Sequence, residues 1–173
     1  MVASRADQQV IQVTYQSWAD LDRAIAGLDE AQATAREGGL SSIAWTVGHL
    51  TQMVDSWLNV RFQGLPPQPL LTGPAFAMGS SGEVEGWPAI IEALASVQGS
   101  ARHFLDSPPD IGLDLTVPYT GSIEWLRPHG LQLRYALLRI AAHHFGHVAE
   151  ILTTRTRLGV GLADDLEWGR LFL

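Results

Sequence analysis

The chain has 173 residues, 46% of them hydrophobic, a net charge of −7 and no cysteine. That is enough apolar material for one globular domain, here taken as residues 1–173, with a sizeable core. The missing cysteine excludes disulfides, thiolate zinc sites, iron–sulfur clusters and cysteine nucleophiles, and the negative charge argues against a nucleic-acid backbone or an anionic membrane surface as main partner. Any metal must therefore be held by His, Asp or Glu. Residues 1–12 are polar and mixed in charge, with no apolar signal-peptide core. No run approaches the roughly 20 apolar residues of a membrane span. A soluble, cytoplasmic protein is expected.

The first predicted helix covers residues 5–26. Ser4 can cap it, and Val10, Val13, Trp18, Leu21 and Ile25 give a helical stripe. Gly27 and the polar stretch 29–39 end it. The second covers 42–62, capped by Ser41 or Ser42, with Ile43, Val47, Leu50, Val54 and Leu58 at three-to-four spacing. Gly64 and Pro66-Pro67 stop it. Residues 64–86, rich in Gly and Pro and without a period, read as a structured loop. A third helix starts at Trp87, with Pro88 in its first turn, and ends before Pro108-Pro109. Leu113, Leu115, Val117 and Tyr119 alternate, which predicts a short extended segment or hairpin near 113–120. The fourth helix covers 131–158 and closes at Gly159. The tail 164–173 is expected to form one more turn, with Trp168, Leu171, Phe172 and Leu173 packing on the body or on a partner chain. The sum is all-α: a four-helix bundle with two long connections.

The fourth helix carries His143-His144-Phe145-Gly146-His147, three of the six histidines of the chain. His143 and His147 are four apart, so they share a face and can hold one divalent ion. Ala136, Ile140, His143, His147 and Glu150 form one inward-facing line that turns from apolar to polar. His144 lies about 100° around the helix from His143; it reads as a packed histidine or one supporting the site, although a His144/His147 pair also shares a face. His49 sits in the apolar pattern of the second helix, flanked at four residues by Trp45 and Met53. If these helices pack together, three neutral imidazoles converge and leave coordination positions open. Glu150 could be a ligand, an acceptor that orients an imidazole, or a general base on a metal-bound water, and orienting an imidazole ranks first.

Other patterns carry less. The zincin motif needs Glu where His144 stands. Gly79-Ser80-Ser81-Gly82 lacks the Lys-Ser/Thr ending of a phosphate loop, and no Gly-x-Ser-x-Gly elbow is present. His103 and His129 read as surface residues. Asp55 lies opposite His49 and reads as solvated or as a structural hydrogen-bonding group. Arg155 and Arg157 most simply complement the dipole of the last helix.

The segments Ser42-Ile43-Ala44-Trp45-Thr46-Val47-Gly48-His49-Leu50 and His143-x-x-x-His147-x-x-Glu150-Ile151, the latter followed by Arg155 and Leu158-Gly159, resemble the DinB/YfiT-like superfamily of metal-dependent enzymes. The resemblance implies a four-helix bundle, often a homodimer, with nickel or zinc on His49, His143 and His147. It also implies a small-molecule substrate, and it gives no reason to expect DNA binding. Relatives include transferases and isomerases that use thiols such as mycothiol, bacillithiol or glutathione, with the thiol held on the metal as thiolate. A chain without cysteine would need such an external thiol. The leading expectation is a thiol-dependent S-transferase or isomerase. The alternatives are a hydrolase using metal-bound water, and a non-catalytic metal- or ligand-binding bundle.

Overall fold

A computed structural model describes residues 4–77, 79–106 and 112–161. Helix α1 (Arg5–Ile25) starts where Ser4 Oγ accepts the Asp7 N–H. Its inner face is more polar than the predicted stripe. Thr14, Ser17, Trp18, Leu21, Ala24 and Ile25 are buried, whereas Val10 and Val13 are half-buried. Small side chains let α1 lie close along the last helix, α6 (Leu133–Arg157), and Thr14 Oγ1 donates to the Leu137 carbonyl at 3.3 Å.

The stretch after Gly27 holds a short helix that the sequence reading left as a break. This α2 (Glu30–Thr34) is closed by a capping box between Asp29 and Gln32. It also serves its neighbour α4 (Trp87–Leu105), whose N-cap Gly86 has no side chain to offer. Glu30 reaches across and accepts both the Gly86 and Trp87 N–H groups. A carboxylate at that end also suits the helix dipole.

Helix α3 (Ile43–Val54) is capped by Ser42 and lies at the centre of the bundle, with Ile43 through Gly48 all buried. The predicted helix 42–62 is not uniform. From Asp55 to Phe62 the backbone widens into a π-helix, a form frequent at functional sites. Asp55 is buried there and accepts from the Gln68 N–H at 2.8 Å and from Asn59 Nδ2 at 3.3 Å. Of the two readings given to it, hydrogen bonding is the observed one. The loop that follows contains two short 3-10 turns, Pro69–Leu71 and Pro74–Phe76.

The expected extended segment exists as β1 (Thr116–Val117), paired antiparallel with β2 (Leu131–Gln132). A short helix α5 (Leu126–His129) lies between them. Because β2 takes residues 131 and 132, α6 starts at Leu133 rather than 131. The turn needs Gly130: its φ is +77°, and a Cβ there would stand 2.8 Å from the Val117 carbonyl oxygen.

Arg155 corrects the dipole reading given to it. It is buried, and its guanidinium donates to the carbonyls of Ala24, Ala26 and Gly161, tying the end of α1 to the end of α6. The predicted tail turn lies outside the described residues. The architecture is an all-α bundle with one minimal two-stranded ladder, and no described helix is long and apolar enough to cross a membrane.

Candidate metal centre

Helices α3 and α6 pack against each other and bring His49, His143 and His147 together. One ring nitrogen from each lies within 4.8 Å of the others. The ring centroids are 5.1 Å apart for His49–His143, 5.6 Å for His49–His147 and 4.6 Å for His143–His147.

The α6 half is built within one helix. His147 Nδ1 meets Glu150 Oε2 at 2.7 Å, three residues on. With the Nδ1 proton donated to that carboxylate, Nε2 of a neutral ring carries a free lone pair. His143 Nε2 lies 3.2 Å from it.

The α3 half depends on the loop. Trp45, His49 and Gln52 share one face, and each donates to a loop carbonyl. Trp45 Nε1 reaches Ala75 at 2.7 Å, His49 Nδ1 reaches Phe76 at 2.8 Å, and Gln52 Nε2 reaches Leu71 at 2.7 Å. A carbonyl only accepts, so Nδ1 of His49 holds the proton and Nε2 is the free donor atom. Trp45 stacks on the His49 ring at 4.9 Å with 7° between planes. Gly48 makes room for the Phe76 ring: a Cβ there would lie 2.1 Å from it. Phe76 is itself buried.

Burial favours the neutral form of His143 and His49. It pushes the His143 pKa down to about 3, helped by the neighbouring histidines, and it lowers that of His49. His144 stands apart from the cluster. It is fully buried, bonded through Nδ1 to the Ile140 carbonyl at 2.9 Å, and burial pushes its pKa down to about 4. The His144/His147 pair is therefore not the one assembled. Its neighbour line, Leu137, Ala141, Val148 and Ile151, is the more deeply buried one; His143, His147 and Glu150 are half-buried.

The donor set suits a divalent ion. Tetrahedral zinc with Zn–N bonds of about 2.05 Å sets neighbouring nitrogens roughly 3.3 Å apart, close to the 3.2 Å between His143 and His147. Two of the three rings have Nδ1 fixed by an acceptor, the usual arrangement for a metal-binding imidazole. Glu150 takes the imidazole-orienting place that ranked first.

Beside the histidines opens a cavity of about 610 Å³, walled in part by Trp57, Tyr119, Ser122 and Arg139. Sequence reasoning did not single these out. Arg139 had a signal, since it stands one turn before His143. Tyr119 was legible only as a member of the alternating segment 113–120, part of a stretch, 108–128, expected to shape the mouth of a pocket. Phe76 acts through its backbone carbonyl, which side-chain patterns do not encode.

Fold and site together define a helical bundle with a three-histidine cluster, a combination compatible with a metal-binding enzyme. The chain belongs to the DinB superfamily, whose family pattern matches residues 14–151. A comparison with curated proteins gives no match.

Proposed function

We propose that this protein is a metal-dependent enzyme that transfers or isomerises through a low-molecular-weight thiol, with nickel or zinc on Nε2 of His49, His143 and His147. The observation that supports it is the convergence of three imidazoles at the side of a cavity large enough for a small molecule. A bound divalent ion supplies a Lewis acid that lowers the pKa of a thiol or water entering its open position.

The chain's own residues do the rest. Glu150 and the Phe76 carbonyl fix the tautomers of His147 and His49. Burial holds His49 and His143 deprotonated at neutral pH, so their lone pairs stay available. Trp57 and Tyr119 give the cavity an aromatic wall. The absence of cysteine makes the thiol a cosubstrate rather than a side chain.

The test is elemental analysis of untagged protein beside His49→Ala and His147→Ala. The expected result is about one nickel or zinc per chain, lost in both variants while circular dichroism stays helical. Turnover of electrophiles with a thiol panel should then vanish on chelation and return with the ion. Activity in a metal-free sample overturns the proposal. Turnover of esters without any thiol moves the reaction to hydrolysis. No ion after incubation with a panel of divalent metals leaves a non-catalytic binding bundle.

A further inference from the structure

Arg139 stands one helical turn before His143 and lines the same cavity. It is exposed toward that space, and among the described residues no carboxylate or carbonyl is paired with it. Most other arginines are engaged. Arg23, Arg36 and Arg134 hold acids, Arg155 holds carbonyls, and Arg61 and Arg102 lie over aromatic rings.

Among the described residues lining the cavity one is an acid, and it does not pair with this charge. Asp55 is buried, with Oδ1 accepting from Asn59 and Oδ2 from the Gln68 N–H. The Ser56 and Ser122 hydroxyls on the same wall can donate as well as accept. The Tyr119 hydroxyl accepts the Ile123 N–H at 3.4 Å, which leaves its own proton to give. Arg139 thus offers the cavity a guanidinium that no described carboxylate engages, in a chain of net charge −7.

We propose that Arg139 is the residue that selects the substrate, and that it selects for a carboxylate. This rests on the reading of the cavity as the substrate site. A guanidinium presents two parallel N–H groups that match the two oxygens of a carboxylate. A single cation suits a monoanion, whereas a phosphate dianion calls for more than one. Four residues along α6 separate Arg139 from His143, a rise of about 6 Å. The carboxylate and the reacting atom therefore belong to one short molecule.

The test uses the full chain loaded with zinc or nickel and two thiols of equal length, 3-mercaptopropionate and 3-mercaptopropionamide. Calorimetric titration should show the carboxylate binding about tenfold or more tightly than the neutral amide, the scale of one charge-assisted hydrogen-bonded pair. In Arg139→Gln the carboxylate should fall to the level of the amide, while amide affinity and melting temperature stay unchanged. Arg139→Lys should recover part of the preference. Equal affinities in the unmodified protein, or a preference that survives Arg139→Gln, overturn the proposal.

The thiolate-to-nickel absorption band reads the thiol chemistry separately. A band without a carboxylate preference removes Arg139 from selection and leaves the thiol reading standing. A carboxylate preference without a band does the reverse. Binding of neither ligand overturns both.

Discussion

The two halves of the histidine cluster are made by different means. On α6, His143, His147 and Glu150 fall within eight residues, and every contact among them spans three or four positions. Helix periodicity alone sets that half. On α3, His49 is oriented by a carbonyl 27 residues further along the chain. That half exists only while the loop stays seated on the helix. One helix can therefore carry a two-histidine arm by itself, while the third donor is as dependable as the packing of Phe76 on Gly48.

The sharpest way to break this asymmetry is Gly48→Ala. The new Cβ would overlap the Phe76 ring, and the ring must move with its carbonyl. Metal affinity should fall by about 10–100-fold, the usual cost of losing a group that orients a ligand. Stability should drop by about 1–3 kcal/mol from overpacking. Calorimetric metal titration and urea melts read the two effects. An affinity unchanged by the substitution would detach His49 from the loop.

Glu150→Gln tests the other half. The amide still accepts from His147 Nδ1 but without charge, so metal affinity should fall by roughly tenfold, the low end of such effects. Glu150→Ala should cost more, and His49 should be unaffected in both, as histidine NMR shifts would show.

Acid should weaken the metal-free protein. His143 and His144 titrate near 3 and 4 in the folded chain and near 6.5 once unfolded. Between those values the unfolded state binds more protons, so stability is lost as pH falls below about 6.5 toward 4. His144, fully buried, contributes a slope of up to about 1.4 kcal/mol per pH unit; half-buried His143 adds less, because solvent screens it. His144→Leu should flatten the urea midpoint against pH, and an unaltered slope would assign the acid limb elsewhere.

The smallest effect is expected from Gly146→Ala. This glycine precedes His147 as Gly48 precedes His49, yet nothing lies within 4 Å of the position a Cβ would take. The substitution should raise stability by about 0.5–1 kcal/mol through helix propensity and leave metal affinity alone.

What was legible in the sequence follows the same division. Local rules found the caps at Ser4 and Ser42, the stop at Gly159 and the His143–His147–Glu150 face, because each is decided within a turn or two. His49 was legible as a candidate, but not its partner, since no spacing rule links it to Phe76. Helix α2 was missed although Asp29-x-x-Gln32 is a capping pattern; five residues give too little periodicity to notice. Arg155 looked like a dipole partner because two of the carbonyls it binds, those of Ala24 and Ala26, lie about 130 residues away in sequence. The polar inner face of α1 escaped because Thr14 and Ser17 bury themselves by bonding carbonyls, which hydropathy does not score.

The widened turn from Asp55 to Phe62 has a bearing on how this cavity could change. A π-turn holds an extra residue relative to an α-turn, and Ser56, Trp57 and Val60 face the cavity from within it. Removing one residue would restore ordinary α spacing and swing everything after it by about 100°. Trp57 would leave the wall and another side chain would take its place, with His49 upstream undisturbed. A change of chain length inside a helix, rather than in a loop, is thus a route by which this scaffold could exchange one substrate for another in a single step.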